Sequence, residues 1–439
     1  MHKKTFFRFA LLPVVLFISG CNSPDATPTA APLIPPTDTL RPTESVTTTG
    51  EPQLPTATYS DPGPPTEAPP PTPETGPVPT LAAGSNLEIV EIEMIDEVLG
   101  WAIGGVDAGR DRVLYTRDGG ATFQDVTPPI GPMLSSGTEM WVVGAFIDRE
   151  HARLLYFPAV LEPAPPGGAE VVIWTTDDAG STWSHGGVIS ASVLGTQDFP
   201  PRLHFVDQHL GWFMARNGGA GMHRYPISLY RTENAGATWD LLIDAMGGSG
   251  LQSCWKTDWA FGDAMNGIAT IDNCPVDGPV IERTTDGGLT WARVTLPAPQ
   301  EDPQSVTAAY CRTYSVQFIT AELVVLSASC TGYEDPQVER QIFYRSSDAG
   351  QNWVAWDFPG GQVHFLDETH GFTLSRDIFW SADGGATWEP RKTVNWDGQF
   401  SFVDPSTGWA VARAGDQLAL VVTRDGAESW QIIEPRVGP

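Results

Sequence analysis

Thr284-Thr285-Asp286-Gly287-Gly288-Leu289-Thr290-Trp291 is one copy of an octapeptide, Ser/Thr-x-Asp/Asn-x-Gly-x-Thr-Trp, whose recurrence decides the fold. Further clear copies run from Thr176 to Trp183, Thr232 to Trp239 and Ser381 to Trp388. Drifted copies run from Thr116 to Phe123, from Ser346 to Trp353 with Asn352 for Thr, and from Thr423 to Trp430 with Ala427 for Gly and Ser429 for Thr. One such octapeptide is a weak signal, but seven in register mark tandem units. Their chemistry is conformational: the short Asp or Asn side chain accepts backbone N–H groups across a tight turn, Gly takes the positive φ, and the aromatic residue packs between neighbouring sheets. Asp118, Asp178, Asn234, Asp286, Asp348, Asp383 and Asp425 are therefore turn formers rather than metal or catalytic carboxylates, because the turn consumes their oxygens.

A second element precedes most copies: a large apolar residue, any residue, Asp, three residues, then Gly and often Trp. It reads Met94-Ile95-Asp96 to Gly100-Trp101, Phe205-Val206-Asp207 to Gly211-Trp212, Phe365-Leu366-Asp367 to Gly371-Phe372 and Phe402-Val403-Asp404 to Gly408-Trp409. Phe261, Asp263 and Gly267 fit it, Phe318 to Val324 keeps only the spacing, and around Trp141 it is barely visible. Each unit then reads as strand a, a short Asp-to-Gly turn, strand b, a variable loop, strand c, the octapeptide turn and strand d. Seven units of four antiparallel strands predict an all-β, seven-bladed β-propeller over residues 85–439.

These repeats resemble BNR or Asp-box propellers. The pairing of Phe-x-Asp-x-x-x-Gly-Trp with Arg-Thr-x-Asp-Gly-Gly-x-Thr-Trp is most similar to the photosystem II assembly factor-like propellers, over residues 90 to 433. The resemblance implies the fold but no single function, since Asp boxes occur in sialidases, xyloglucan hydrolases, sortilin-type receptors and non-enzymatic assembly factors. The photosystem role does not carry over, because it depends on a photosynthetic host and on a basic patch with no residue-by-residue match here.

Strand alternation puts the ab and cd turns on one face, short and uniform, and the bc loops and da links on the other, where length varies. The variable face is the expected binding face. Its longest excursions run from Arg149 to Gly168, Asn217 to Pro226, Asp240 to Thr257, Leu296 to Tyr314 and Ser327 to Gln337, with Trp255, Tyr310, Tyr314, Tyr333 and Trp396 on or near them. Cys254 and Cys274 flank one ab hairpin and Cys311 and Cys330 the next, so each pair is expected to form a disulfide, although spacing alone leaves free thiols or crossed pairing open. Five positions after the ab glycine, three blades present Arg216, Arg376 and Arg413, a candidate anion or carboxylate site if they converge.

Before the propeller, Lys3, Lys4 and Arg8 lead into the apolar stretch Phe9 to Phe17 and then Ile18-Ser19-Gly20-Cys21. That is an export signal over residues 1–20, too short to span a bilayer. It resembles a bacterial lipobox, which implies Cys21 as the lipidated first residue and a protein anchored outside the cytoplasm on a bacterial membrane. Residues 21–84 are dominated by Pro and Thr, with too little apolar surface to fold, and read as a disordered tether reaching on the order of 100 Å. Removing residues 1–20 takes three of the 25 basic residues and none of the 53 acidic ones, leaving 22 against 53, a net charge of −31. So acidic a chain is a poor partner for nucleic acid.

Sialidase-like catalysis would need an arginine triad, a tyrosine–glutamate nucleophile pair and usually an Arg-Ile-Pro motif, which does not occur here. Xyloglucan hydrolases of this type resemble two propellers with a carboxylate from each, against one propeller here. No zinc, P-loop, nucleophile-elbow or Cys-x-x-Cys motif is present. The sequence therefore favours a monomeric, cofactor-free binding or scaffolding module for a protein or glycan, with a glycoside hydrolase as the alternative.

Overall fold

Each octapeptide closes its turn through the same hydrogen bonds. The Thr284 hydroxyl donates to the Asp286 carboxylate at 2.8 Å and accepts the Gly288 N–H at 3.0 Å. Asp286 in turn accepts the Thr290 N–H at 2.9 Å and its hydroxyl at 2.5 Å. Asp118, Asp178, Asn234, Asp348, Asp383 and Asp425 accept the N–H four residues on in the same way. The glycine is a packing surface as well as a hinge: at Gly385, φ +88°, a Cβ would lie 2.2 Å from the Phe343 ring of the preceding blade.

The computed structural model describes residues 75–106, 109–135, 139–158, 169–191, 201–216, 227–244, 251, 254–272, 278–302, 306, 309–332 and 339–439. Blade one contains β1 (Glu88–Met94), β2 (Gly100–Gly105), β3 (Arg112–Thr116) and β4 (Thr122–Asp125), followed by the short helix α1 (Gly131–Leu134). Blade two contains β5 (Met140–Phe146), β6 (Ala152–Pro158), β7 (Ala169–Thr176) and β8 (Ser184–Ala191). Blade three follows with β9 (Arg202–Phe205), β10 (Gly211–Arg216), β11 (Ile227–Thr232) and β12 (Asp240–Ile243). Blade four has β13 (Trp255–Phe261), β14 (Gly267–Asp272), β15 (Val280–Thr284) and β16 (Ala292–Thr295). Blade five has β17 (Ala309–Phe318), β18 (Val324–Gly332), β19 (Glu339–Ser346) and β20 (Val354–Asp357). Blade six has β21 (Gln362–Phe365), β22 (Gly371–Leu374), β23 (Asp377–Ser381) and β24 (Glu389–Thr393). Blade seven has β25 (Asp397–Phe402), β26 (Gly408–Ala414), β27 (Gln417–Thr423) and β28 (Gln431–Ile433), and a last strand, β29 (Arg436–Val437), follows. In all seven sheets strands a, b, c and d pair antiparallel in that order, which is the predicted seven-bladed propeller.

The ab turns explain the second sequence element. At Gly211, Gly267 and Gly408 a Cβ would lie 2.5–2.6 Å from the ring of Phe205, Phe261 or Phe402, so the aromatic residue that ends strand a occupies the space a side chain would need. Blade two departs from the sequence expectation. Its element is not around Trp141 but at Phe146-Ile147-Asp148, where Asp148 accepts the Glu150 and His151 N–H groups and Ala152 stands where Gly is expected. Alanine fits because the Phe146 ring lies over Gly144 instead, 2.8 Å from where that residue's Cβ would be. Blade five tolerates Val324 for the same reason, with Phe318 turned onto Gly262 of blade four. As a further correction, the excursion expected from Arg149 begins in this short turn and continues as strand β6, Ala152–Pro158.

The sequence suggested no strand for closing the ring, but β29 supplies one. It adds parallel to β4 as a fifth strand of blade one, pairing Arg436 with Thr122 and Val437 with Phe123. Nearer the axis, side chains lace two inner strands to the next blade's backbone: Gln399 and Ser401 accept the N–H groups of Ile92 and Met94, and Ser315 and Gln317 those of Val363 and Phe365. Residues 75–84, the end of the Pro/Thr-rich segment, lie against the propeller, with Gly76 bridged to Ile130 and the Pro79 carbonyl accepting from Arg112.

The turn carboxylates make stability depend on acid. At Asp178 the Thr182 hydroxyl and N–H, and at Asp425 those of Ser429, hold the carboxyl below its ordinary value. At Asp148 burial pushes the carboxyl up, but hydrogen bonds from Glu150, His151 and Gln208 together outweigh it and hold it at about 2. Groups that titrate lower when folded contribute fully above the unfolded value, about pH 4, and lose that contribution as pH falls through the folded one. The melting temperature is expected to drop between about pH 4 and pH 2, and Asp178→Asn, which keeps the acceptor as Asn234 does naturally, to shrink the drop. An equal drop in that variant would assign the acid sensitivity elsewhere.

Candidate ligand-binding face

The variable face is stepped, because the b and c strands of neighbouring blades rise to different heights above a common ab turn. Strand β18 of blade five has 9 residues and β26 of blade seven has 7, whereas β22 of blade six has 4 and turns at Ser375-Arg376 into β23. At about 3.3 Å per residue, blade five stands roughly 16 Å and blade seven roughly 10 Å above blade six. A notch therefore lies over blade six, open to both neighbours.

Register fixes what faces it. Val325 and Phe343 of blade five pack with Val363 and Phe365 of blade six. On the same sheet face, above that contact, Tyr314 lies opposite Ser327, Arg312 opposite Ser329, and Ser329 opposite Gln341. These residues border a cavity of about 430 Å³ that also takes in Tyr310, Glu339 and Asp272 of blade four. Its polar groups hold one another: the Tyr314 hydroxyl donates to Gln341 at 2.7 Å, the Gln341 amide to Glu339 at 2.9 Å, the Ser329 hydroxyl to Glu339, and the Tyr310 hydroxyl to Asp272. Behind the wall, Cys311 and Cys330 form the expected disulfide, but as directly opposed residues within β17 and β18 rather than flanking them. Cys254 is also disulfide-bonded, whereas Cys274 lies outside the described residues.

On blade seven, Ala412 and Ala419 lie opposite each other on the sheet face that carries Val421, Trp396 and Trp430. Phe400 and Trp430 of that face also pack with Phe372 and Trp380 of blade six. Ala412, Ala419, Val421, Trp396 and Trp430 line a groove of about 600 Å³ edged by Asp416 and by Glu88 of blade one, with Ile432 in its lining 73% exposed. Trp396 and Trp430 meet edge to face, with centroids 5.6 Å apart.

Of the three arginines, Arg376 sits in the blade-six turn and binds Asp397 bidentately at 2.7 and 2.8 Å. Arg413 lies directly across from that same Asp397 in the β25–β26 pair. Arg216 ends β10, and its side chain is outside the described residues. An anion at Arg376 would have to displace a carboxylate already in place. Of the aromatic residues singled out from sequence, Tyr310, Tyr314 and Trp396 line the two grooves, Trp255 begins β13, and Tyr333 is outside the described residues.

Sequence reading missed the charges around the axis. Glu91 and Glu93 alternate along β1, and Arg202 of blade three pairs with Asp258 of blade four. Enclosure by the ring of inner strands, and then repulsion from Glu91, push the Glu93 carboxyl up to about 7. Its carboxylate still touches solvent in the channel, which damps the effect. A group that titrates higher when folded opposes stability as pH rises from the unfolded value through the folded one. Glu93→Gln is therefore expected to melt higher than the parent at pH 8 and level with it near pH 4; a constant difference would exclude this cause. The Glu-x-Glu spacing in an otherwise apolar strand was the available signal. Lys256 and Glu282 form a further ion pair at 2.8 Å, closed off inside blade four at 0% and 3% side-chain exposure and inaccessible to a ligand. Among the described residues no group of three or more His, Cys, Asp and Glu could hold a metal ion.

No protein-family model matches the chain, and no curated protein sequence does. Among solved structures, it is similar to YCF48 from Cyanidioschyzon merolae at 18% identity and TM-score 0.46, over 79% of this chain and 97% of that one. It is similar to YCF48 bound to D1 peptide at 14% identity and TM-score 0.47, over 80% of this chain and 97% of that one. A prolyl endopeptidase matches at 9% identity and TM-score 0.51, over 80% of this chain but 50% of that one. At these identities the likeness concerns fold alone. Fold and face together define a seven-bladed β-propeller with a stepped variable face.

Proposed function

We propose that this chain is an exported, lipid-anchored propeller that presents a non-catalytic binding face to a protein or glycan. The observation that carries the binding role is the stepped variable face, where a hydrogen-bonded tyrosine wall and a tryptophan groove stand open beside the shortest blade. In the tyrosine wall Asp272 accepts from Tyr310, and Glu339 from Ser329 and Gln341. Carboxylates committed as acceptors suit ligand binding better than hydrolysis, which needs one of a pair to deliver a proton. The shared turn chemistry of the seven octapeptides supports a place among Asp-box propellers. The basic start, short apolar run and Cys21 support export and lipidation, and the Pro/Thr-rich segment supports a tether that holds the face away from the membrane.

Hydroxyl-radical footprinting of the full chain in detergent, mixed with a bacterial cell-envelope fraction, tests the face. Protection is expected at Tyr310, Tyr314 and Trp396 and not at Met265 and Leu289, which are exposed on the ab and cd turns. Protection confined to the turn face would overturn the assignment. Cys21→Ser is expected to release the protein from membranes or leave it unprocessed, and normal processing with full membrane retention would remove the anchor.

A further inference from the structure

We propose that the notch over blade six is a cleft for an uncharged polysaccharide chain, an inference that rests on the variable face being the binding face. With stacked sheets about 10 Å apart, removing one blade's height leaves a gap of two spacings, about 10 Å clear once side chains are allowed for, roughly the width of one saccharide chain. The two walls differ in chemistry. On blade five the sheet face turns from apolar, where Val325 and Phe343 meet blade six, to hydroxyl, amide and carboxylate groups just above. On blade seven the face stays apolar above the contact, with Ala412 and Ala419 beside the touching pair Trp396 and Trp430, and Ile432 left in water. Small side chains beside an aromatic cluster leave room for a flat ligand with C–H faces, and the opposite wall offers groups for hydroxyls.

Charge and backbone narrow the class. Glu339, Asp377, Asp397 and Asp416 stand around the notch, with Asp272 of blade four at the far end of the tyrosine wall, against Arg312, Arg376 and Arg413. The arginines face acids, Arg312 at 3.7 Å from Asp272, Arg376 at 2.7 Å from Asp397, and Arg413 across from that same Asp397 in the β25–β26 pair. A uronate, sulfated glycan or acidic peptide would therefore enter against net negative charge. A peptide also needs partners for its main chain, which recognition domains supply from an open strand edge. Both walls here are sheet faces whose strands are already paired, β17 to β18 to β19 and β26 to β27 to β28. Sugar hydroxyls need only the side chains.

The test titrates the full chain in detergent with cellohexaose, xylohexaose, mannohexaose and chitohexaose, with hexagalacturonate and a proline-rich peptide as competitors of other classes. Heat of binding and tryptophan fluorescence are read together. At least one neutral hexasaccharide is expected to bind and to quench fluorescence, with Trp396→Ala and Tyr314→Phe each weakening it tenfold or more at unchanged melting temperature. Trp396→Phe serves if the alanine variant melts early, and Leu289→Ala on the other face should bind like the parent. Failure of all four neutral sugars, preference for the galacturonate or the peptide, or binding indifferent to both groove variants would overturn the proposal. If the sugars fail while envelope material still protects Tyr314 and Trp396 from radicals, the ligand class is wrong and the binding face stands. If neither occurs, both fall.

Discussion

Trp212→Ala is expected to be the most damaging single side-chain truncation in the propeller, costing about 3–5 kcal/mol. The side chain is 0% exposed and stacks on Phe261 of the next blade, with centroids 3.8 Å apart and planes 3° from parallel. Its indole N–H donates to the Gly287 carbonyl at 2.9 Å, inside the octapeptide turn of blade four, and the Arg231 guanidinium lies over the ring at 5.6 Å. One residue of strand b thus joins blade three to the core and the turn of blade four, so its loss opens a cavity and strands an acceptor together. For a propeller of this size the unfolding entropy converts the loss to about 4–7 °C in melting temperature. Trp291 of the octapeptide is only partly buried and is expected to cost less on truncation. Calorimetry on both variants decides the order; a larger loss at Trp291 would place the interblade lock in the octapeptide instead.

The same comparison shows how far the sequence could be read. The octapeptide gave turn, blade number and strand order because its hydrogen bonds are local, running from Thr284 to Thr290. The packing hierarchy was less visible: of the four fully buried tryptophans, Trp101, Trp212 and Trp409 come from the weaker element after the ab turn and Trp174 from strand β7. Blade two escaped because Ala152 breaks the glycine pattern, and only the three-dimensional placement of Phe146 over Gly144 shows why that is allowed. Cys311 and Cys330 fell inside strands because a bulge between Tyr314 and Gln317, with Ser315 at φ 58°, carries pairing further up than a regular strand would suggest. The notch was half legible. The short step from Gly371 to Ser381 is plain in the sequence, yet attention to the longest loops hides it, and which side chains it uncovers depends on the register of the blades beside it.

Deleting residues 434–439 is expected to cost about 3–6 kcal/mol and to loosen the ring at one seam only. Blades one and seven are neighbours that the chain joins only through Glu434-Pro435 into β29, so their contact is held by side chains, by inner-strand hydrogen bonds and by that strand. That strand brings a dense set of backbone bonds: Val437 to Ser85 at 2.9 Å, Gly84 to Val437 at 2.9 Å, Leu87 to Pro435 at 2.9 Å, Arg436 to Ala121 at 3.2 Å and Gly438 to Phe123 at 2.7 Å. Five such bonds at about 0.5–1.5 kcal/mol each, with the burial of Val437 among Leu87 and Phe123, give the estimate. A global loss alone would not identify the seam, but hydrogen exchange does. The Ile92 and Met94 amides, which bond to Gln399 and Ser401 across that seam, are expected to exchange faster after the deletion. The Val363 and Phe365 amides, laced the same way to Ser315 and Gln317 across a seam the chain also spans, should keep their protection. Uniform acceleration at all four would mean that β29 supports the whole disc, and no acceleration at Ile92 and Met94 would mean that the inner lacing closes the ring without it.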